Sequence, residues 1–481
     1  MPRDLMFLPP FVRFLKPPIQ TSSKYTSRRQ FRRMATASIV KLSTAQEPQF
    51  FLKGRTQEAT DRTSQLLQEN HYKHHIFFNR SGFHNHIVHH LLTVYALAAN
   101  PEQIQKHYDE NASYQRPPEP VQESVVKDMS SDKFNSYLGN ERYYHDFLVF
   151  FQTEMDSKGW QAVVNEYVFS GSKLADDMLV RMFGGFLHPI IHLGFGIEFE
   201  QPAIIAEALS QAAVHDNWMA PLFFGAENAA KENAKRGTKP KTLVQLLDEI
   251  RANEKLLKAA HWGDGNKIRD GVMARAGDEM IKNASQYFIS DSDNLDKKTA
   301  EMINAAAYFT GGAQHPPNQI KFDFYYMHSI NAALFFPRFL HHPSTDFISP
   351  AAKIRLLEWK SRNDLAMYAS RAAPALLVDE ITDYQPKTPG TWDRLFDRVN
   401  EISDDGHVSK LVRALATGED VCEPFQEKKA GEIDWRIRGD MWLQLGHMVV
   451  DSTEGSDTRW VRSAGFDEAW ENIPKRDEAR L

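Results

Sequence analysis

Apolar side chains recur every three to four residues from about residue 56 onward, and the strict alternation typical of strands almost never occurs. Several of these runs open with proline, as in PEQIQKHYDENAS and QPAIIAEALSQAAVH, and others close at glycine. The pattern predicts an all-α fold, a large multi-helix globule. Two polar stretches interrupt it: residues 226–241 are predicted to form an exposed loop or lid, and residues 384–391 a turn-rich linker.

Composition excludes several classes of protein. The chain has 57 basic and 63 acidic residues, a balance that does not favour a nucleic-acid-binding protein. Its single cysteine, Cys422, excludes a disulfide framework and any site built from several thiolates. No apolar run approaches the ~18 residues of a membrane span, so no membrane partner is expected.

The first 46 residues differ in charge from the rest, with nine basic residues and one acidic residue. This composition is typical of a mitochondrial transit peptide, and it equally fits an over-extended reading frame whose translation starts at Met34. We therefore predict a disordered basic leader over residues 1–46 and a single domain over residues 47–481. The expected location is cytoplasmic, or mitochondrial if residues 1–33 are a real transit peptide.

Histidines and aromatic rings share one face of three predicted helices. The first helix, over residues 84–99, places His86, His89 and His90 on one side and apolar residues on the other. The second, over residues 187–199, aligns two imidazoles with two phenyl rings, and the third, over residues 322–336, aligns one imidazole with rings and an amide. These two helices contribute His188, His192, Phe195 and Phe199, and Phe324, Tyr325, His328, Asn331 and Phe335.

One buried histidine is usually a hydrogen-bonded core residue, whereas three such stripes predict a central cavity lined by imidazoles and rings. Two other interpretations stay open: a helical scaffold without a pocket, and an enzyme whose histidines bind a metal. Histidines four residues apart can chelate zinc, iron or copper, but no carboxylate accompanies them within either motif, so a bound metal is not expected. His71, His74 and His75 precede the first helix and are predicted to be surface groups.

Known cofactor motifs are absent from the sequence. There is no glycine-rich dinucleotide fingerprint, no phosphate-binding loop and no nucleophile elbow. No histidine follows a glutamate by three residues, so the di-iron signature of helical bundles is also missing. The sequence therefore predicts neither a bound flavin nor a carboxylate-bridged metal pair.

The histidine segments also carry a resemblance to a known family. NHIVHHLLTVYALAANPEQIQKHY, HPIIHLGFGIEFEQPAIIAEALSQAAVH, FDFYYMHSINAALFF and DSTEGSDTRWVRSAGFDEAW resemble the questin oxidase-like family of fungi, in order from about residue 70 to 471. The resemblance implies Baeyer–Villiger type oxygen insertion and ring opening of a polyketide anthraquinone in secondary metabolism. It also implies NADPH as the reductant, used directly or through a partner reductase, and dioxygen as co-substrate, without a flavin-binding fold.

We can assign roles to the histidines on this basis. An imidazole with a pKa near 6.5 suits removal of a phenolic proton, and a second, protonated imidazole can stabilise an oxyanion. His86 and His90 are the expected base and proton relay, and the other expected catalytic residues are His188, His192 and His328. The residues expected to bind the planar substrate are His89, Phe195, Phe199, Phe324, Tyr325 and Asn331.

Overall fold

The computed structural model describes residues 34–130, 133–290, 293–426 and 433–476, and helices dominate it, so the predicted all-α fold is confirmed. The helices of the N-terminal half are α1 (Gln57–Lys73), α2 (Ile87–Ala96), α3 (Pro101–Ala112), α4 (Glu123–Met129), α5 (Tyr144–Lys158), α6 (Trp160–Val164), α7 (Lys173–Met182), α8 (Gly184–Glu198), α9 (Pro202–Val214) and α10 (Ala220–Lys235).

The helices that follow are α11 (Leu243–Ala252), α12 (Glu254–Leu257), α13 (Ala274–Ala284), α14 (Leu295–Gly312), α15 (Tyr326–Ala333), α16 (Phe336–His341), α17 (Pro350–Ser370), α18 (Asp379–Thr382), α19 (Trp392–Val399), α20 (His407–Cys422) and α21 (Met441–Thr453). Two short strands, β1 (Phe322–Asp323) and β2 (Trp460–Val461), pair in parallel. Two π-helical segments, Asn165–Phe169 and Lys267–Met273, precede α7 and α13.

Local sequence explains where many helices begin. Pro101, Pro202 and Pro350 each occupy the first turn of a helix, where the missing N–H would have no intrahelical partner. Asn100 and Gln103 form a reciprocal capping box at the start of α3. Residues 226–235, predicted to lie in a loop or lid, instead form the second part of α10, because their alanines and charged residues are good helix formers.

The three histidine-bearing helices differ from their predicted bounds. The first begins at Ile87, with His84–His86 in irregular backbone before it. The second contains a left-handed break at Gly185–Leu187. The third predicted helix divides into β1, α15 and α16, since Phe322–Asp323 pairs with Trp460–Val461 and Pro337 begins a new helical turn.

The compact unit of the structure begins at Ala35. Ala37, Val40 and Leu42 are buried, so residues 35–46, which the sequence analysis assigned to the leader, pack as part of the domain. The transit-peptide and alternative-start interpretations concern residues 1–33, which lie outside the described residues.

Four helices form a closed ring at the centre of this unit. Helix α2 packs against α8 and α20, and α15 packs against the same two helices. Within the described part of the chain, no single helix is both long and apolar enough to span a membrane, although α7 and α8, bent by 99° at their junction, meet the criterion as a pair.

Candidate active site

Four buried histidines, one from each helix of the central ring, converge on a single point. His86, His188, His328 and His407 each offer one ring nitrogen, and these four nitrogens lie within 4.8 Å of one another. All four residues are at most 6% exposed. We call this group the four-histidine cluster, and no other set of three or more potential metal ligands occurs among the described residues.

Helix ends place these imidazoles. His86 is the cap residue before α2, and His407 is the first residue of α20. Gly406 precedes His407 with φ +86°, and a Cβ atom there would lie 2.6 Å from Cβ of His90. Only glycine combines this left-handed backbone with so close an approach, so the packing of α2 on α20 requires it.

A left-handed turn presents His188. Gly185, Phe186 and Leu187 have φ values of 50°, 55° and 71°, which residues other than glycine rarely adopt. Backbone strain of this kind costs on the order of 1–3 kcal/mol per residue and is often found at functional sites. Here the turn directs the carbonyl of Gly185 at Nδ1 of His188, 2.6 Å away.

The Nδ1 atoms of three cluster histidines are fixed by hydrogen bonds. His188 donates to the carbonyl of Gly185, and His328 donates to the carbonyl of Phe324 at 2.7 Å. His407 donates to Oδ1 of Asp405 at 2.5 Å. Each of these bonds places the hydrogen on Nδ1 and leaves a lone pair on Nε2. Metal-binding histidines commonly have this arrangement.

The Nε2 atoms are therefore the nitrogens left to point into the cluster, where few hydrogens are available to them. Nε2 of His86 lies 2.8 Å from Nε2 of His188, and the Nε2 atoms of His328 and His407 have no hydrogen-bond partner among the described residues. Burial lowers the pKa of His86, His188 and His328 well below the ordinary value, and neighbouring positive groups lower it further. Neutral imidazoles with converging lone pairs are the form that binds a cation.

Two charged residues on the α20 side complete the surroundings. Burial acts to raise the pKa of Asp405, but His407 and Lys410 hold it well below its usual value. Its second oxygen lies 3.6 Å from Nδ1 of His86, so one carboxylate faces two cluster histidines. Burial lowers the pKa of the Lys410 ammonium to about 8, and its Nζ has no hydrogen-bond partner among the described residues.

The donor set fits a transition metal. Imidazole nitrogen suits zinc, copper, iron and nickel, and metal-binding imidazoles usually donate their other N–H to a carboxylate, as His407 does to Asp405. The histidine pairs predicted from the sequence each lie within one segment, whereas this set of ligands is assembled from four segments. The expectation of no bound metal stays a prediction, and the four-histidine cluster argues for the alternative of a histidine-ligated metalloenzyme.

The other predicted catalytic histidines lie outside the cluster. His192 hydrogen-bonds to His89 on one side and to Glu207 on the other, behind the cluster. His90 packs against His107, with ring centroids 4.3 Å apart, and accepts a long hydrogen bond from Asn111. The stripe drawn through His86 and His90 therefore does not exist, because His86 precedes the helix.

Some of the predicted substrate-binding rings adjoin the cluster. The ring of Phe324 lies 4.9 Å from that of His328 and 5.1 Å from that of His407. Tyr325 is one step further out, 4.6 Å from Phe186, with the guanidinium of Arg371 3.7 Å from its ring centre.

Of the other predicted residues, Phe195 lies on α8, Phe199 directly follows α8, and Asn331 lies on α15. Phe195 stacks on His89 at 5.2 Å, whereas Phe199 contacts Phe195 and Tyr95 instead of a cluster histidine. Asn331 is buried one turn after His328, and neither of its amide atoms has a hydrogen-bond partner among the described residues. A central cavity that would hold a planar substrate stays a prediction.

Sequence reasoning missed three residues of this region. His407 stands alone in DGHVSKLVRALATG, so a search for stripes of several imidazoles and rings did not select it. Glu207 is the only charged residue of a mainly apolar helix, so a lone carboxylate was the only signal. His71, predicted to lie at the surface, is 5% exposed and hydrogen-bonded to Glu207, because it lies on the inward face of α1. His75, also predicted to lie at the surface, is buried as well.

Known proteins match this chain over most of its length. A family model described as questin oxidase-like matches residues 83–415. A Baeyer-Villiger monooxygenase, dmxR6, from Cryptosporiopsis is 42% identical over 415 residues, which cover 85% of this chain and 92% of that protein. A questin oxidase from Aspergillus fumigatus is 39% identical over 423 residues, covering 86% of this chain and 94% of that protein.

The chain belongs to the questin oxidase-like family. The resemblance inferred from the four histidine-containing and C-terminal segments is thus confirmed. A Baeyer-Villiger oxidase, ptaJ, from Pestalotiopsis fici is similar too, at 42% identity over 421 residues, which cover 86% of this chain and 93% of that protein. As a member of the family, the protein is an oxidoreductase of the questin oxidase type.

Proposed function

We propose that the protein carries out a Baeyer–Villiger type oxygen insertion on a polyketide anthraquinone, followed by ring opening, with a redox-active metal, iron or copper, held by the four-histidine cluster. The single observation that carries the metal is the convergence of four buried ring nitrogens within 4.8 Å. The reaction type is supported by the relatives named for Baeyer–Villiger oxidation and for the oxidation of questin.

The overall reaction balances with NADPH and dioxygen. NADPH and a proton reduce the anthraquinone to its hydroquinone, directly or through a partner reductase. The hydroquinone then reacts with dioxygen: one oxygen atom is inserted between a carbonyl carbon and the adjoining ring, and the other leaves as water with the two hydroquinone hydrogens. Water finally opens the resulting lactone to a carboxylic acid and a phenol.

When bound, a redox-active metal supplies electron transfer to dioxygen beside the substrate. Phe324, which touches both His328 and His407, is placed to stack on a planar tricyclic substrate next to the cluster. Arg371 behind Tyr325 and Arg462 over Phe324 supply positive charge, which favours an acidic, polyhydroxylated aromatic molecule.

His89 replaces His86 and His90 as the acceptor of the substrate proton in this proposal. His86 is occupied in the cluster, and His90 faces His107. The ring of His89 lies 5.7 Å from that of His86, and its Nδ1 is buried without a hydrogen-bond partner among the described residues. A hydroxyl of the substrate can donate to that nitrogen.

The test combines metal analysis with isotope labelling. The purified full-length protein is analysed for metals, then stripped with a chelator and reloaded with iron(II) or copper in separate samples. A chemically reduced anthraquinone is added under ¹⁸O₂, and the products are analysed by mass. We expect stoichiometric metal, activity only after reloading, and one labelled oxygen atom in the product.

Each part of the proposal has its own contrary result. Full activity in the metal-free protein would show that the reaction needs no metal, and the histidines would then have acid–base roles. Two labelled oxygen atoms in the product would contradict insertion of a single atom. No product from the metal-loaded protein with any reduced anthraquinone would overturn the substrate class.

A further inference from the structure

A continuous chain of hydrogen bonds leads away from the cluster through three helices. Nε2 of His89 lies 3.2 Å from Nδ1 of His192, and Nε2 of His192 lies 2.8 Å from Oε2 of Glu207. Oε1 of Glu207 lies 2.6 Å from Nδ1 of His71, and the side-chain amide of Gln152 lies 3.0 Å from Nε2 of His71. The chain joins the cluster region to a half-buried glutamine.

The centre of this chain is a buried carboxylate between two imidazoles. The side chains of His71 and His192 are 1% exposed, and that of Glu207 is 4% exposed. Burial acts to raise the pKa of Glu207, but hydrogen bonds from His192 and His71 hold it at about 2. Tyr144 on α5 lies near the carboxylate of Glu207, and burial raises the pKa of the Tyr144 phenol well above its usual value.

The donors and acceptors along the chain have a definite order. The amide of Gln152 donates to Nε2 of His71, so the hydrogen of His71 is on Nδ1 and is donated to Glu207. The ionised Glu207 also accepts from Nε2–H of His192, which leaves Nδ1 of His192 to accept from Nε2–H of His89. Nδ1 of His89 then carries a lone pair, at the end of the hydrogen-bond chain nearest the cluster.

We infer that His192, Glu207 and His71 form a proton store for the oxidation, loaded and unloaded through His89. A proton accepted at Nδ1 of His89 displaces the one on Nε2 to Nδ1 of His192, and the positive charge comes to rest beside Glu207. His89 passes a proton on without keeping one. The inference rests on the proposed function, and it adds Glu207 and His71 as positioning residues.

The stoichiometry of the reaction is what calls for a store. The hydroquinone gives up its hydroxyl hydrogens, and the oxygen atom that leaves as water takes up the same number. No net proton enters or leaves during this step, so a proton has to be kept near the substrate and then returned. A buried carboxylate between two imidazoles holds one proton at little electrostatic cost, because the charge that arrives is paired at once.

The position of the store separates it from the cluster in an experiment. His71 is on α1 and Glu207 is on α9, and neither belongs to the four-histidine cluster. Their replacement should therefore leave the metal content unchanged. The His71→Gln variant can still donate to Glu207 but loses the imidazole held between Gln152 and the carboxylate. The Glu207→Gln variant keeps the size of the side chain but removes the negative charge that pairs with the charge arriving on His192.

The experiment measures kcat, KM, metal content and the solvent deuterium isotope effect of metal-loaded full-length His71→Gln and Glu207→Gln, with a reduced anthraquinone and dioxygen. We expect kcat to fall by about 10²-fold, at the lower end of the range for acid–base catalysis, with KM and metal content unchanged. The solvent isotope effect should rise in both variants, because proton movement then limits the rate.

Matched controls are available elsewhere in the chain. His447 is a buried histidine that hydrogen-bonds to the carbonyl of Gly390, and Glu227 is a half-buried carboxylate paired with Arg355 and Lys231. His447→Gln and Glu227→Gln should keep the wild-type kcat and isotope effect. If Glu207→Gln does not fold, His71→Gln and the shorter acid Glu207→Asp, which should retain part of kcat, decide the question.

The outcomes separate the store from the function on which it rests. No product from the wild-type protein would overturn the proposed function and the store together. Product from wild type, with kcat and isotope effect unchanged in both His71→Gln and Glu207→Gln, would overturn the store alone. Loss of metal in either variant would also overturn it, since the residues would then support the cluster.

Discussion

At the scale of single residues, the partner of Nδ1 decides what each histidine can do. Nδ1 of His407 donates to Asp405, which turns Nε2 toward the cluster. Nδ1 of His90 accepts from the amide of Asn111, so its hydrogen is on the other nitrogen and its lone pair is used. Two histidines in neighbouring buried positions therefore differ in chemistry, because one presents a free lone pair and the other does not.

Replacement of these two histidines should have opposite consequences. His407→Ala removes one of four ligands, so the metal affinity should fall by more than the roughly 10–100-fold that follows when a ligand only loses its hydrogen-bond partner, and activity should fall with it. His90→Gln should keep metal and activity. Equilibrium dialysis with iron(II) or copper, beside a turnover assay, checks both; equal metal content in the two variants would contradict the assignment.

His215 gives a pH-dependent prediction. It is half-buried, with Nε2 2.9 Å from Nε2 of His84, and the partial loss of solvent, with the nearby Arg181, lowers its pKa to about 4. In the unfolded chain its pKa is about 6.5, so between about pH 6.5 and 4 the unfolded state binds a proton that the native state does not. Its contribution to stability is therefore present above pH 6.5 and is lost as the pH falls.

Between about pH 6.5 and 4, the unfolding free energy of wild type should fall by about 1.4 kcal/mol per pH unit more than that of a variant without this histidine. Urea unfolding of wild type and His215→Asn at pH 7, 6 and 5 measures the difference, with the metal removed from both proteins. The stability of wild type should approach that of the variant as the pH falls. Parallel curves would show that His215 titrates normally.

The sequence allowed prediction of three of the four cluster histidines, and the reason for the failure is physical. His86, His188 and His328 stand near other imidazoles or rings, so local patterns point to them. His407 has no such neighbour in sequence, and it joins the cluster only because α20 packs against α2 and α15. Ligand sets drawn from separate helices depend on tertiary contacts that helical periodicity does not encode.

At the scale of secondary structure, the left-handed turn before His188 is the element most closely tied to the site. A Cβ atom on Gly185 would lie 2.5 Å from Cε1 of His215 and 2.7 Å from Cε1 of His84. The ring of His84 in turn stacks on that of His188 at 3.8 Å. The turn, its packing and the orientation of a cluster histidine are therefore one arrangement.

Gly185→Ala should damage both stability and metal binding. The positive φ alone costs on the order of 1–2 kcal/mol, and displacement of the two imidazoles adds to it. Because the carbonyl of residue 185 fixes Nδ1 of His188, metal affinity should fall by about 10–100-fold. Gly237→Ala is the control, since Gly237 has φ +73° with no atom within 4 Å of its Cβ position.

The comparison of these two alanine variants separates backbone strain from packing. Gly237→Ala should lose only the cost of its φ angle and keep its affinity for the metal. A Gly185→Ala protein that is no less stable than Gly237→Ala and binds metal normally would show that the turn does not position His188. Thermal unfolding and dialysis on the same preparations provide both measurements.

Elements that depend on local sequence were predicted well, and those that depend on distant partners were not. Proline at the first turn of α3 and α9 correctly indicated where these helices begin. The strand Phe322–Asp323 was predicted as helix, because its apolar spacing fits both structures and only its pairing with Trp460–Val461 decides between them. The break at Gly185 was predicted too, because the run SKLADDMLVRMFGG closes at the pair Gly184–Gly185.

At the scale of the whole molecule, the segment just before α1 is part of the folded unit. The backbone N–H of Val40 donates to Gln68, that of Leu42 donates to Ser64, and that of Lys41 donates to Gln201. The first two partners are on α1, and Gln201 precedes α9. The segment therefore connects the first helix to the helix that carries Glu207.

A chain that begins at residue 47 should consequently be less stable than one that begins at Met34. The shorter chain loses the buried side chains of Val40 and Leu42, which are 4% and 3% exposed, and burial of each contributes about 1.5–3 kcal/mol. We expect the unfolding free energy to fall by roughly 3–6 kcal/mol, which is a large part of the total unfolding free energy of an ordinary domain. Denaturant unfolding of the two chains, 34–481 and 47–481, measures this loss directly. Equal midpoints and equal slopes would mean that the domain begins at residue 47, as its charge pattern predicted, and that residues 35–46 contribute nothing to its core.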